Sequence, residues 1–274
     1  MKICIFGASG LIGNGIYKEL KKFHSVFGTY KNNNFDKKDK DLFYFDILGK
    51  VSIETFLKKH SPDIIINTAG ITKHLISNFS KSDIIEINTI FPKKLGSLAN
   101  VHNYKFIHIS TDCVFNGKKG NYDENDLPND LDLYGITKFN AESIKDSHLV
   151  LRTSTIGFEK NTKFGLLEWF LSQKIMCEGY EKAIFSGITN TELGKIIHNL
   201  ILPNINKFGL YNIASEPINK YILLNKLNDF YNKKILINKN ISFEINRSLN
   251  GELFQNHFNY KIKSWDIMLK ELNI

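Results

Sequence analysis

The chain has 274 residues, of which 42% are hydrophobic and 23% charged, with a formal net charge of +8. It contains no apolar run near the roughly 20 residues that span a bilayer, and Gly7–Gly15 interrupts the apolar Met1–Phe6 before a signal-type core can form, so a cytoplasmic protein with no membrane partner is expected. The lysines are spread along the whole chain with no basic run interleaved with aromatics, which argues against nucleic acid and leaves a positive field suited to an anionic small substrate.

Lys2–Phe6 reads as a buried strand ending at a glycine turn, and Leu11–Lys22 as a helix with apolar residues at helical spacing. Ser25–Tyr30 is a second strand, Lys31–Lys40 a charged loop, and Leu42–Phe45 a third strand. Val51–His60 is a helix stopped by Pro62. Asp63–Asn67 carries three consecutive isoleucines, as expected of a parallel strand covered on both faces. Ser82–Val101 is a long helix that Pro92 kinks or splits. Lys105–Ile109 is a strand, Thr111–Leu133 a long loop of the kind that usually carries function, Tyr134–Asp146 a helix, and Leu149–Leu151 a strand.

This alternation predicts an α/β fold, a doubly wound parallel sheet of the Rossmann type. Beyond Gly157 the pattern loosens into helices near Phe164–Gln173, Thr191–Leu200 and Tyr221–Tyr231, with short strands near Leu210–Ile213 and Lys234–Ile237. A dinucleotide-binding domain over residues 1–157 is therefore expected, followed over 158–274 by a smaller, mainly substrate-binding C-terminal lobe with segments crossing back. Cys4, Cys113 and Cys177 lie too far apart for a disulfide framework, and no Cys/His group has zinc-like spacing, so no metal is expected.

Gly7, Gly10 and Gly13 have the spacing G-x-x-G-x-x-G between the first strand and first helix. Glycines there let the backbone approach a pyrophosphate at a helix N-terminus, with Ser9, Leu11 and Ile12 beside it. The end of the second strand discriminates between nicotinamide cofactors. Thr29-Tyr30-Lys31 offers no acid before Asp36, and Lys31 suits a ribose 2′-phosphate, so NADP(H) is preferred and NAD(H) remains possible. Asp46 and Ile47 at the third strand end suit adenine. Asn67, Ala69 and Gly70 offer small residues where the chain must pass close to the ribose and nicotinamide.

Tyr134 and Lys138 are four residues apart on one helical face. A free phenol has a pKa of roughly 10, too high for acid–base work near neutrality, and a neighbouring ammonium is expected to lower it. Ser110-Thr111-Asp112, at a strand end, supplies a hydroxyl for a substrate carbonyl. Arginine occurs only as Arg152 and Arg247 among 36 cationic residues, either where a planar fork is needed or as ordinary ion pairs.

The set Gly7–Gly13, Asn67–Gly70, Ser110–Gly117 and Tyr134–Lys138, followed by Ala141-Glu142, resembles extended short-chain dehydrogenases/reductases. The Ser-Thr-Asp-x-Val-Phe-x-Gly segment is similar to that of dTDP-4-dehydrorhamnose reductases and relatives that reduce 4-keto nucleotide sugars. The resemblance covers about the first 157 residues, with weaker echoes at Arg152–Ser154, Gly187–Asn190 and Arg247–Asn250. It implies that Thr111 orients the carbonyl, Tyr134 protonates it, Lys138 assists and grips the ribose, Asn88 maintains the site, and Asp112 and Arg247 serve the substrate, Arg247 at its diphosphate. It implies a reductase of a nucleotide-linked 4-keto-6-deoxy sugar for bacterial surface polysaccharide, monomeric or homodimeric.

Two departures loosen the sugar identity. Thr155-Ile156-Gly157 stands where the resemblance leads one to expect a tryptophan, and Trp169, the next one, reads as a packing residue. The segment Lys163–Phe170 also differs, so UDP-linked amino sugars fit as well. An epimerase or dehydratase on the same site is disfavoured because Thr111 is followed by Asp112 and Cys113 rather than by an Asp-Glu pair. A non-catalytic NADP-binding regulatory subunit is disfavoured by the retained Thr111, Tyr134 and Lys138.

Overall fold

The structure is a computed structural model and describes residues 1–31, 39–159 and 165–272. Asp36, most of the Lys31–Lys40 loop, Lys163 and Phe164 lie outside the described residues. The first half runs β1 (Lys2–Phe6), α1 (Leu11–Leu20), β2 (Ser25–Tyr30), β3 (Leu42–Tyr44), α2 (Ile53–His60), β4 (Ile64–Asn67), α3 (Lys81–Ile85), α4 (Phe91–His102), β5 (Lys105–Thr111), α5 (Leu133–Ala141) and β6 (Leu149–Thr153). The second half adds β7 (Thr155–Ile156), α6 (Leu166–Ser172), β8 (Met176–Tyr180), β9 (Ala183–Phe185), β10 (Ile188–Thr189), α7 (Asn190–Ile196), β11 (Gly209–Asn212), β12 (Ile218–Asn219), α8 (Lys220–Phe230), β13 (Leu236–Asn240), β14 (Ile245–Asn246), α9 (Glu252–Phe258) and α10 (Trp265–Lys270).

Seven parallel strands form the central sheet in the order β11-β6-β5-β4-β1-β2-β3. The consecutive apolar residues of its inner strands are explained by two covered faces. Ile3, Ile5, Ile64, Ile66, Ile107 and Ile109 point into one core, with α1, α7 and α8. Cys4, Phe6, Ile65 and Phe106 point into the other, with α2 and α4. β11, from beyond residue 157, forms one edge of this sheet by pairing with β6, and α7 packs on α1. That approach is close because Gly15 and Gly194 leave no side chain between the helices: a Cβ on Gly15 would meet Asn190 at 2.7 Å.

The long helix expected over Ser82–Val101 is interrupted by a single π-helical turn, Glu86–Ile90, immediately before Phe91-Pro92. Proline lacks an N–H and crowds the carbonyl four residues earlier; the wider turn relieves both, and Asn88 lies within it. α5 also ends sooner than expected, passing into a 3-10 turn at Glu142–Asp146. The short strands β7, β9, β10, β12 and β14 were not foreseen, because strands of two or three residues carry too little alternation to read. Among the described residues, no helix is long and apolar enough to cross a membrane.

Candidate active site

The glycine turn has the geometry of a phosphate cradle. Gly7 has φ +81°, and a Cβ on it would meet the Ala69 nitrogen at 2.8 Å; one on Gly13 would meet the Gly7 carbonyl oxygen at 2.2 Å. Gly10 N–H donates to the Gly7 oxygen at 3.0 Å, and Gly7 N–H to Thr29 Oγ1 at 3.1 Å, which ties the turn to the end of β2. Gly10, the N-cap of α1, has no capping side chain, and with Gly7 and Ser9 it lines the groove. A dinucleotide fits these residues: the small turn admits its pyrophosphate, and two cavities extend from it.

One cavity is lined by Gly7, Ser9, Gly10, Lys31, Ile47, Ala69 and Gly70, with Tyr30 and Phe79. The other is lined by Leu11, Ile12, Gly70, Thr111, Asp112, Cys113, Tyr134 and Lys138, with Ser154, Thr155 and Glu159. They share Thr68, Gly70 and Ile71, and so run end to end across the carboxyl ends of β1, β2, β4 and β5.

Several expected residues act from behind these walls. Gly13 serves close packing. Asn67 is fully buried; its Oδ1 accepts from Ala69 N–H at 3.2 Å and its amide meets His108 Nδ1 at 3.1 Å, so it shapes the Ala69-Gly70 wall. Asn88, also fully buried, accepts from Ile71 N–H at 2.8 Å and donates to the Ile71 carbonyl at 3.0 Å. Asp46 pairs with Lys31 at 2.9 Å and accepts from Leu48 N–H, so in this state the two expected cofactor contacts hold each other.

At the other end, Thr111, Tyr134 and Lys138 meet in one cleft, with Thr111 in hydrogen-bonding reach of the Tyr134 phenol. Asp132 caps α5 by accepting from Gly135 N–H at 2.7 Å, which fixes the helix that carries Tyr134. The electrostatics differ from the expectation. Burial holds the Tyr134 phenol above its usual range, Cys113 adds to this, and the Thr111 hydrogen bond opposes it. Lys138 does not reach the phenol: its Nζ donates to the Ile109 carbonyl at 2.8 Å, and burial, opposed by Glu142, lowers it to about 8. Desolvation of both groups outweighs the ammonium–phenolate attraction in this state. Cys113 is pushed up to about 12, by burial and then by Asp112, which makes it a poor nucleophile.

Arg247 lies beside Cys113, but its fork is committed within the chain. Nε donates to the Phe115 carbonyl at 2.8 Å and Nη2 to Asp130 at 2.7 Å. These contacts brace the loop before α5, and Nη1 is left with only Cys113 Sγ, at 3.8 Å. Arg152 is an internal ion pair with Glu142. Trp169, expected to pack, stands on α6 with 36% of its surface exposed. Ser154, Thr155 and Glu159 also line the cleft; the segments that hold Ser154 and Thr155 stood out in the sequence, but none of the three was read from it as a site residue.

The family profile described as RmlD substrate binding domain matches residues 1–169. The chain belongs to that family. It is 26% identical over 226 residues to a dTDP-4-dehydrorhamnose reductase of Aggregatibacter actinomycetemcomitans, covering 79% of this chain and 74% of that protein. It is 29% identical over 140 residues to methionine adenosyltransferase 2 subunit beta of Xenopus tropicalis, covering 50% of this chain but only 40% of that one. Among solved structures, dTDP-4-dehydrorhamnose reductase from Bacillus anthracis in complex with NADP superposes with a TM-score of 0.82 at 20% identity, covering 99% and 98% of the two chains. That likeness confirms the Rossmann-type fold.

Proposed function

We propose that this member of the family is an NADPH-dependent reductase of a nucleotide-linked 4-keto-6-deoxy sugar, of the dTDP-4-dehydrorhamnose reductase type. The observation that carries this reading is the single cleft holding Thr111, Tyr134 and Lys138, continuous with the glycine-turn groove. A nicotinamide seated there would supply hydride to the keto carbon. Thr111 holds the carbonyl oxygen and Tyr134 gives it a proton. Tyr134 is protonated in this state, as the reducing direction requires of a proton donor, and charge from Lys138 is what must ease the proton's departure. Lys138 serves the ribose hydroxyls and carries positive charge beneath the reacting atoms.

Lys31 supports preference for NADP(H), with NAD(H) as the second cofactor. The segment beyond residue 157 serves as the substrate lobe, an assignment supported by the cleft residue Glu159. A cytoplasmic site of action, with nucleotide-sugar metabolism for surface polysaccharide, belongs to the same reading. The test is NADPH oxidation by the purified protein with dTDP-4-dehydrorhamnose and UDP-linked 4-keto-6-deoxy sugars. Turnover with at least one supports the proposal, and no oxidation with any of them refutes it.

The similarity to a protein named as a subunit of another enzyme favours a second reading, a non-catalytic NADP-binding regulator. The retained Thr111, Tyr134 and Lys138 weigh against it. Tight NADP(H) binding without turnover, together with co-purification of an unrelated catalytic subunit, would favour it.

A further inference from the structure

A further cavity begins one turn along α1 from the residues that line the groove and the cleft. It has a volume of about 320 Å³ and shares no lining residue with either of them. One wall is a stripe of α1, where Asn14, Lys18 and Lys22 recur at every fourth residue. Asn190 and Thr191 of α7 form the opposite wall, and Phe158 completes it.

Two wall residues are polar, deeply buried and without a partner. Asn14 is 9% exposed and Thr191 7%, and neither side chain hydrogen-bonds to any described residue. Buried polar groups in folded proteins are nearly all paired. The polar atoms of these two are not sealed off by protein, so they are open to the cavity they line. The charges are also uneven. Glu19, in the same wall, is matched by Lys22 at 2.6 Å. Lys18, exposed at the rim, has no ion pair or hydrogen bond with any described residue, which leaves one uncompensated positive charge.

The remaining walls are fixed in place. Asn190 is wedged between two glycines: a Cβ on Gly15 would meet its side chain at 2.7 Å, and one on Gly157 at 2.2 Å. Its amide donates to the Leu11 carbonyl at 2.9 Å. The Phe158 ring stands edge-on to Tyr231, with centroids 6.3 Å apart. The cavity is therefore largely preformed, as small-molecule sites are.

We propose that this cavity binds a small sugar phosphate, at a site separate from the nucleotide-sugar cleft. A carboxamide and a hydroxyl each donate and accept, which matches the hydroxyls of a sugar. The Phe158 ring offers an apolar face to the C–H side of the sugar ring, and Lys18 holds the phosphate at the rim. The volume is that of about ten water molecules, room for one sugar ring and its phosphate but not for a nucleotide sugar. The assignment stands independently of the reductase reading.

The test is calorimetric titration of glucose 1-phosphate, glucose 6-phosphate and fructose 6-phosphate into the NADP-loaded protein, with glucose and inorganic phosphate as partial ligands. At least one sugar phosphate should bind more tightly than either partial ligand. Asn14→Leu and Thr191→Val, which keep the volume and remove the hydrogen bond, should each weaken it by about tenfold. Lys18→Gln should weaken the sugar phosphate and leave glucose unaffected, and Lys18→Arg should recover most of the loss. Tyr134→Phe, in the cleft, should bind the sugar phosphate as the wild type does. Lys18 is exposed, so Lys18→Gln serves should a buried variant fail to fold. No binding of any sugar phosphate overturns the proposal, as does equal affinity in the wild type and the cavity variants. Displacement by UDP places the ligand in the cleft and also overturns it. Inorganic phosphate binding as tightly as the sugar phosphates overturns the assigned ligand class.

Discussion

Arg152 holds Glu142 with both arms of its guanidinium, Nε to Oε1 at 2.9 Å and Nη2 to Oε2 at 2.7 Å, entirely out of solvent. Ser110 Oγ also donates to Oε1, at 2.5 Å. The pair therefore ties the end of α5 to β6 directly behind the strand end that presents Thr111. Glu142→Ala leaves a buried, unpaired guanidinium and is expected to cost about 3–5 kcal/mol. Replacing both partners by Leu and Met should recover most of that loss. Urea unfolding of Glu142→Ala and the double variant, each against the wild type, checks both statements; a double variant no more stable than Glu142→Ala would contradict the second.

Lys138 sets a pH dependence with a definite sign. Its pKa falls from 10.5 to about 8 on folding because burial penalises its charge. Below pH about 8 both folded and unfolded chains hold the proton, and the penalty is fully present. Between about 8 and 10.5 the unfolded chain holds the proton and the folded chain does not, so stability rises with pH across that window. Activity should run the opposite way, falling as pH rises through about 8, because Tyr134 stays protonated there while Lys138 loses its charge. In Lys138→Met the stability rise should diminish, the part that remains coming from Lys220, which burial also lowers to about 8, and turnover should be low throughout. Thermal unfolding and initial rates over this range read both.

Lys31 and Asp46 form an ion pair at 2.9 Å that a 2′-phosphate must enter or displace. In Lys31→Ala, NADPH binding should weaken by about tenfold, the scale of one charge-assisted contact, while NADH binding stays the same. Fluorescence titration of both cofactors reads the difference. Equal losses for the two would move the discrimination away from Lys31.

The elements of the first half were legible because each combines a strong local signal with long-range consistency. The isoleucines of β4 read as a doubly covered strand and are one, and the glycine turn lies where its spacing put it. Tyr134 and Lys138 share a cleft as their helical spacing required. What the sequence did not show is which partner each polar group would choose. Lys138 turns to the Ile109 carbonyl rather than to the phenol, and Arg247 to Asp130 rather than to the open cleft. Such choices depend on contacts between residues 29 and 117 positions apart, which no local pattern encodes.

The most direct test of the central claim is the Tyr134→Phe variant, assayed for NADPH oxidation with the 4-keto nucleotide sugar that the wild type reduces. Loss of a general acid predicts a fall in turnover of roughly a hundred- to ten-thousand-fold, with cofactor affinity unchanged. A variant that still consumes NADPH at the wild-type rate would contradict the account.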